Sequence, residues 1–317
     1  MPSKIEWTDE TWNPVTGCTP VSTGCANCYA KRMAQRLANI PTVHYRQRYE
    51  GFRVALWPER LEDPIYWRKP RVVFVCSMGD LFHEDVPREF LDQVFYTMQQ
   101  QAYWHEYVIL TKRPIQMCKY LSWRWGEGGV PPQQIHIGVS VEDQATADER
   151  IPLLLQCPAA KRFVSYEPAL GPVDWGHYFA RFRSVVSGLR YTNRKAAGGH
   201  ETLPGIDGLI CGGESGPGAR PMHPDWARAA RDACAEAGVP FFFKQRGAWS
   251  PGYYEKASAY VRWANDGWQP IGWYDAATMC GKQGEQVMSR VGKKKAGRLL
   301  DGREHNELAW EMKGAAE

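Results

Sequence analysis

The chain has 317 residues, with 39 Lys and Arg against 35 Asp and Glu for a net charge of +4, and 44% of it is hydrophobic. This is a globular composition, long enough for one α/β barrel with insertions or for two ordinary domains. The opening stretch MPSKIEWTDETWNP has no basic-then-apolar signal pattern, and no run approaches the roughly 18 apolar residues of a membrane span. Secretion and membrane insertion are therefore not expected, and a cytoplasmic location is.

Residues 11–15 are the first candidate strand, followed by a cysteine-bearing loop and a helical stretch over 26–38. Short apolar runs rich in β-branched and aromatic residues then predict buried strands at 71–77 (RVVFVCS), 107–111 (YVILT), 135–140 (IHIGVS), 162–166 (RFVSY), 208–212 (GLICG) and 239–244 (VPFFFK). Helical stretches lie between them at 87–101, 114–122, 143–155 and 224–237, three of them opening at or next to a proline, which suits the first helical turn. Strand alternating with helix predicts parallel strands joined by right-handed crossovers, and about six such units predict a partial (β/α)6-type barrel, with a doubly wound open sheet as the rival α/β architecture. Gly, Pro and charge at 183–206 mark an inserted loop in a barrel domain of residues 1–248. Residues 249–317, first aromatic and glycine-rich and then basic, are expected to form a C-terminal extension packed on that domain.

Nine cysteines, an odd number spread over a long chain, do not make a disulfide scaffold and fit reduced or metal-bound thiols. Three of them, Cys18, Cys25 and Cys28, stand in GCTPVSTGCANCYA as C-x6-C-x2-C, while the other six are scattered singly. Thiolates bind soft metals, so zinc and an iron–sulfur cluster are the candidates. Structural zinc takes four ligands, and no second C-x2-C or C-x2-H pair completes the set; His44 is the nearest histidine. Three thiolates on a four-iron cluster leave one iron open to a small molecule, which favours a catalytic cluster.

In a parallel sheet the segments following each strand share one face, where ligands bind. Those segments carry Ser77, Asp80, His83 and Glu84; Lys112 and Arg113; Ser140, Glu142 and Asp143; Glu167; Gly212, Gly213, Glu214 and Arg220; and Lys244 and Arg246. Thr111, Ser140 and Asp143 also suit helix caps. Capping does not account for Lys112, Arg113, Glu214 and Lys244 directly after apolar runs, and a polar, mixed-charge bowl does.

A three-cysteine loop after the first strand of a β/α repeat resembles the radical S-adenosylmethionine (SAM) superfamily. The segments IEWTDETWNPVTGCTPVSTGCANCYA, FVCSMGDLFHEDVP, YVILTKRP, GVSVEDQ, FVSYEPALGPV, ICGGESGPGARPMHPDWARAARDAC and FFFKQRGAW resemble a phage-associated family of radical-SAM-like proteins. The resemblance implies that Cys18, Cys25 and Cys28 hold a 4Fe-4S cluster whose open iron chelates SAM, and that cluster reduction yields methionine and a 5′-deoxyadenosyl radical. It further implies an electron donor such as flavodoxin or ferredoxin. SAM contacts are then expected from Ser77, Asp80, Ser140, Glu167, Gly212 and Gly213, and substrate chemistry from Lys112, Glu167, Glu214 and Lys244. This sequence departs from the superfamily's C-x3-C-x2-C spacing, has Asn27 where an aromatic precedes the third cysteine, and carries GGE at Gly212–Glu214 after the sixth strand instead of the second.

Fourteen Trp and 15 Tyr interleaved with Lys and Arg fit a surface that stacks bases and grips phosphates; core packing of the extension is the alternative, above all over 249–273. The run KKKAGRLLDGR at 293–303 and the cluster Arg181, Arg183, Arg190, Arg194 and Lys195 supply positive charge for such a surface. Phage relatives imply DNA as partner and, as a reaction, isomerisation of a glycine adduct on the thymine methyl group from nitrogen-linked to carbon-linked. RNA, a protein or a free nucleoside are alternative radical-SAM substrates, and a zinc-stabilised DNA-binding protein is the non-enzymatic alternative.

Overall fold

A computed structural model describes residues 5–40, 48–126, 129–179, 205–264, 267–283 and 285–310. His44 and the basic cluster from Arg181 to Lys195 lie outside the described residues, as does nearly all of the expected insertion.

Thirteen strands are present among the described residues. β1 (Glu10–Trp12) is followed by the short β2 (Val15–Thr16) and β3 (Ala55–Leu56), and then by β4 (Val72–Val75), β5 (Glu106–Thr111), β6 (Ile135–Val141), β7 (Lys161–Tyr166), β8 (Gly208–Gly212) and β9 (Phe241–Gln245). Seven of these form one all-parallel sheet in the order β1-β4-β5-β6-β7-β8-β9, curled into a half-barrel that stays open between β1 and β9. The partial-barrel reading thus holds, with seven parallel strands in place of six units. The expected first strand over 11–15 is split. Pro14 has no amide to donate to a ladder, so pairing with β4 ends at Trp12, and Val15 and Thr16 turn to pair antiparallel with β3.

The crossover helices are α1 (Tyr29–Ala38), α2 (Arg88–Tyr96), α3 (Pro114–Trp125), α4 (Gln144–Gln156), α5 (Gly176–Phe179) and α6 (Pro224–Ala237). Asp143 caps α4 in a reciprocal box with Thr146, its carboxylate accepting from the Thr146 amide at 2.9 Å. α1 begins three residues later than its periodicity predicts, because Thr23–Cys25 forms a 3-10 turn and Asn27 is bound elsewhere.

The period-2 alternation of the strands sorts the apolar residues onto two faces. Val73, Tyr107, Ile137, Val164, Leu209 and Phe243 lie under the helices in the main core. Val72, Val108, Phe163, Ile210 and Phe242 point the other way, into the curl, and meet Trp7 and Trp310. Trp310 arrives from the far end of the chain. Its ring lies 5.1 Å from Phe163, 5.9 Å from Trp7 and 5.5 Å from His136, and its indole donates to the Trp7 carbonyl at 3.2 Å. Because Trp7 precedes β1 and His136 opens β6, this aromatic group closes the curl at the amino ends of the strands. The same returning segment lays Asn306 against Phe242, covering the β9 edge.

Between β9 and that segment, β10 (Trp249–Pro251), β11 (Tyr260–Ala264), β12 (Gly267–Ile271) and β13 (Val287–Arg290) form an antiparallel sheet in the order β10-β13-β11-β12. Its aromatics are mostly packing: Trp249 and Tyr260 are buried, Trp263 and Trp268 lie 5.1 Å apart and pack on His223 at 5.4 and 5.6 Å, and Trp263 also meets Trp226 at 5.4 Å. Only Trp273 and Tyr274, both 65% exposed, keep free faces in this stretch. No helix among the described residues is long and apolar enough to cross a membrane.

Trp310→Ala should destabilise the fold by about 3–5 kcal/mol, the cost of emptying a large buried aromatic site. Urea unfolding followed by circular dichroism measures it, and a loss under about 1 kcal/mol would show that the plug is not part of the core.

Candidate active site at the carboxyl ends of the sheet

The cysteine loop follows β2 and is gripped by residues that follow four strands of the sheet, β4, β5, β6 and β8. After β5, Arg113 donates to the Thr19 carbonyl at 3.0 Å and to the Thr19 hydroxyl at 2.6 Å, while its other end pairs with Glu84 at 2.6 Å. The same hydroxyl meets His83 Nε2 at 2.9 Å; His83 Nδ1 accepts the Asp85 amide, so Nε2 carries the proton. After β6, Glu142 Oε1 accepts the Ser22 hydroxyl at 2.8 Å. After β8, Glu214 Oε2 accepts from the side-chain amide of Asn27, between Cys25 and Cys28, at 2.9 Å, and Arg220 bridges Glu214 to the Thr23 carbonyl at 3.0 Å. Arg32 of α1 completes the clasp, donating to the Ser215 carbonyl at 3.0 Å.

Glu142 is the centre of this arrangement. It is fully buried and is held by the Lys112 ammonium, by Arg150 at 3.3 Å and by Ser22, with its Oε2 left without a partner. Burial alone would push the carboxyl up, but the cations of Lys112 and Arg150 and the Ser22 hydroxyl outweigh it and hold Glu142 below the ordinary carboxylate value. The loop is so close that a Cβ on Gly24 would stand 2.5 Å from the Glu142 carboxyl.

The three thiols are free and half-buried. Burial, and then the negative Asp80, push Cys18 up to about 11 despite a hydrogen bond from Arg113. Burial works the same way on Cys25, yet the Lys112 ammonium and the amides of Val21 and Ser22 outweigh it and lower that thiol. The donor chemistry, three unbridged thiols on one loop with cations beside two of them, suits a thiolate-ligated cluster. The sulfurs are not drawn together at one point: among the described residues no three Cys, His, Asp or Glu side chains stand close enough to hold a metal ion.

Every strand-end residue singled out from the sequence lies at this end of the sheet, in separate groups. Asp80 is a structural tie, its carboxylate accepting from the Thr111 hydroxyl at 2.7 Å and from the amides of Phe82 and Lys112. Ser77 donates to the Asn13 side chain at 3.2 Å, joining β4 to β1. Ser140 is buried at the end of β6, and its carbonyl accepts from Arg150. Glu167 and Lys244 form a pair at 3.2 Å on the inner face of the curl, joined by the Ser165 hydroxyl at 3.1 Å. Gly212 and Gly213 are glycines because of close approach: a Cβ would stand 2.5 Å from Glu167 Oε1 at the first and 2.2 Å from the Arg246 carbonyl at the second. Both carboxylate oxygens of Glu214 are taken by Asn27 and Arg220, so the geometry makes it a positioning residue for the cysteine loop and not a group aimed at substrate. Sequence reasoning gave no role to Glu142, although it follows its strand as directly as Lys112 does. Asn13, Ser22 and Arg150 carried no signal at all, and Asn27 stood out only as a departure from the aromatic expected before the third cysteine.

Fold and site together define an open parallel half-barrel with a cysteine loop clasped over its carboxyl-end mouth. The chain belongs to the family described as "Protein of unknown function (DUF5131)", which matches residues 2–309. No curated protein matches the sequence. Among solved structures, a cysteine-to-serine mutant of spore photoproduct lyase is similar at 12% identity, over 81% of this chain and 68% of that one, with a TM-score of 0.41. At that distance the likeness carries no functional argument.

Glu142→Gln should cost about 3–5 kcal/mol at pH 7, because it leaves Lys112 and Arg150 with an uncompensated buried charge. The folded carboxyl is held low, so its contribution is complete above the unfolded value of about 4.3 and fades as the pH falls toward the folded one. The gap between wild type and variant in urea unfolding should therefore be widest at pH 7 and narrow progressively below about pH 4.3. A pH-independent gap would mean that packing, not charge, holds the loop.

Proposed function

We propose that this chain is a radical-SAM-type enzyme acting on a base in DNA. The observation that carries the reading is the cysteine loop clasped over the mouth of a parallel half-barrel whose inner face offers Lys244, Glu167 and Ser165. Cys18, Cys25 and Cys28 would hold the cluster, which when bound supplies the electron that splits SAM into methionine and a 5′-deoxyadenosyl radical.

The chain's own part is to hold, orient and exclude water. Lys112 and Arg113 place positive charge beside the thiolates, and the aromatic plug at Trp7 and Trp310 shuts the amino end of the curl, leaving the carboxyl end as the way in. The finer form of the proposal is isomerisation of a glycyl group on the thymine methyl from nitrogen-linked to carbon-linked. A glycyl adduct carries an amine and a carboxylate, and the Glu167–Lys244 pair offers the complementary charges on one wall: Glu167 would accept from the amine and Lys244 would donate to the carboxylate. A flipped base would enter the bowl from the same end.

Anaerobically purified protein should be brown, with about four irons per chain. Replacing Cys18, Cys25 or Cys28 by Ala should abolish the iron and its absorbance, whereas Ala at Cys118, Cys157, Cys234 or Cys280 should leave both intact. A colourless zinc protein, or iron retained in the triple variant, would remove the basis of the reading.

With reductant, SAM and phage DNA carrying the nitrogen-linked adduct, the product nucleoside should keep the substrate's mass and differ in retention and fragmentation. Lys244→Ala and Glu167→Gln should lower turnover at least about 10²-fold while leaving iron content unchanged, as loss of positioning does. A methylated, methylthiolated or sulfur-bearing product would end the isomerase proposal and leave the radical-SAM class standing.

A further inference from the structure

The antiparallel sheet carries a groove of about 470 Å³ that the site above does not use. Lys256, Arg290, Lys293 and Lys295 line it, over a floor of Ala248, Val291 and Gly292. Its walls are fixed by backbone bonds: the amides of Val291 and Gly292 both donate to the Ala248 carbonyl at 3.0 Å, and the Ser258 amide donates to the Arg290 carbonyl at 3.0 Å. Its charge is largely uncompensated. Lys293 meets Glu6 at 3.4 Å, and among the described residues no carboxylate lies within ion-pair distance of Lys256, Arg290 or Lys295. Lys295 instead faces the Tyr254 ring at 5.1 Å. Of the other cations of the basic run, Arg298 binds Asn306 and Glu304 and Arg303 lies against His305, while Lys294 is exposed and does not line the groove.

The groove touches the active-site clasp directly. Gly216 forms part of its wall, and Arg290 donates to the Gly216 carbonyl at 3.1 Å. Gly216 belongs to the loop whose Ser215 and Pro217 carbonyls hold Arg32 and whose Gly218 carbonyl holds Asn27, beside Cys28. One loop therefore separates a four-cation groove from the cysteine loop.

We infer that this groove binds the phosphodiester backbone of the nucleic-acid strand whose base enters the bowl. Ammonium and guanidinium groups over a rigid wall suit phosphate oxygens, which position a strand without reading its sequence. The inference rests on DNA being the substrate, and it locates the contact that the net charge of +4 leaves unspecified.

The test is binding of a fluorescein-labelled single-stranded oligodeoxynucleotide of about 20 nucleotides, by anisotropy across a salt series, with no turnover required. Lys256→Ala/Lys293→Ala/Lys295→Ala should weaken binding at least about tenfold and flatten the slope of log K against log salt by about 2, as loss of three phosphate contacts to a single strand does. Arg68→Ala/Lys69→Ala, before β4 at the opposite end of the sheet, should change neither. As a measurement that needs no variant, bound DNA should protect Lys256, Lys293 and Lys295 of the wild-type protein from acetylation and leave Lys69 reactive. A triple variant with wild-type affinity and slope, or DNA-bound protein whose groove lysines acetylate freely, overturns the assignment. Wild-type protein that holds its iron and cleaves SAM but binds no DNA overturns the groove and the DNA substrate together, and leaves the cysteine chemistry intact.

Discussion

A buried carboxylate that cannot be left unpaired organises the mouth of this half-barrel. Glu142 sits wholly out of water at the end of β6, where an isolated ion would be several kcal/mol too costly to keep. Lys112 from the neighbouring strand end and Arg150 from the following helix answer that charge, and Ser22 brings the cysteine loop to the same oxygen. Three parts of the chain, far apart in sequence, meet because one ion must be solvated by protein. The lowered Cys25 thiol is a by-product of that arrangement, since the ammonium that neutralises Glu142 also faces the sulfur.

The two ends of the curl solve opposite problems. At the amino ends, an apolar lining would be wetted if it stayed open, and Trp7 and Trp310 fill it from the two extremities of the described chain. At the carboxyl ends the same inner face becomes polar within one or two residues, running from Phe163 to Ser165 and Glu167 and from Phe242 to Lys244. Alternation along a strand produces this gradient with no extra device: residues two apart share a face, and the change from aromatic to charged side chains marks where the core stops and the site begins.

The parallel sheet was legible because buried parallel strands are short continuous apolar runs and their helices announce themselves by proline and capping residues. Six of the seven sheet strands were readable in that way. The first was misjudged because Pro14 divides a run that hydrophobicity alone joins. The cysteine cluster was legible by its spacing, and the strand-end polar residues by their position. Which of those residues touch one another was not. Ser22 and Glu142 are 120 residues apart, Thr19 and Arg113 94, and Asn27 and Glu214 187, and no local pattern encodes partners at such separations. Glu214 shows the consequence: a glutamate after a strand and two glycines reads as a group for the substrate, and only its contacts with Asn27 and Arg220 reveal a clamp.

Those separations also order the assembly of the site. A contact closing a loop of ninety to nearly two hundred residues gains nothing until most of the intervening chain is already fixed, because the closure entropy must be met first. β5, β6 and β8 have to be in register before Arg113, Glu142 and Glu214 face the same space, and the loop bearing Cys18, Cys25 and Cys28 has no regular element of its own beyond one 3-10 turn. The shape of the cysteine loop therefore depends on the finished sheet. Beyond the backbone bonds of Gly17 and Cys18 that fix its entry, such a loop can adjust its sulfurs without disturbing the core, since its remaining ties to the strand ends run through side chains while the strands are held by their own ladder and by the layer of helices behind them.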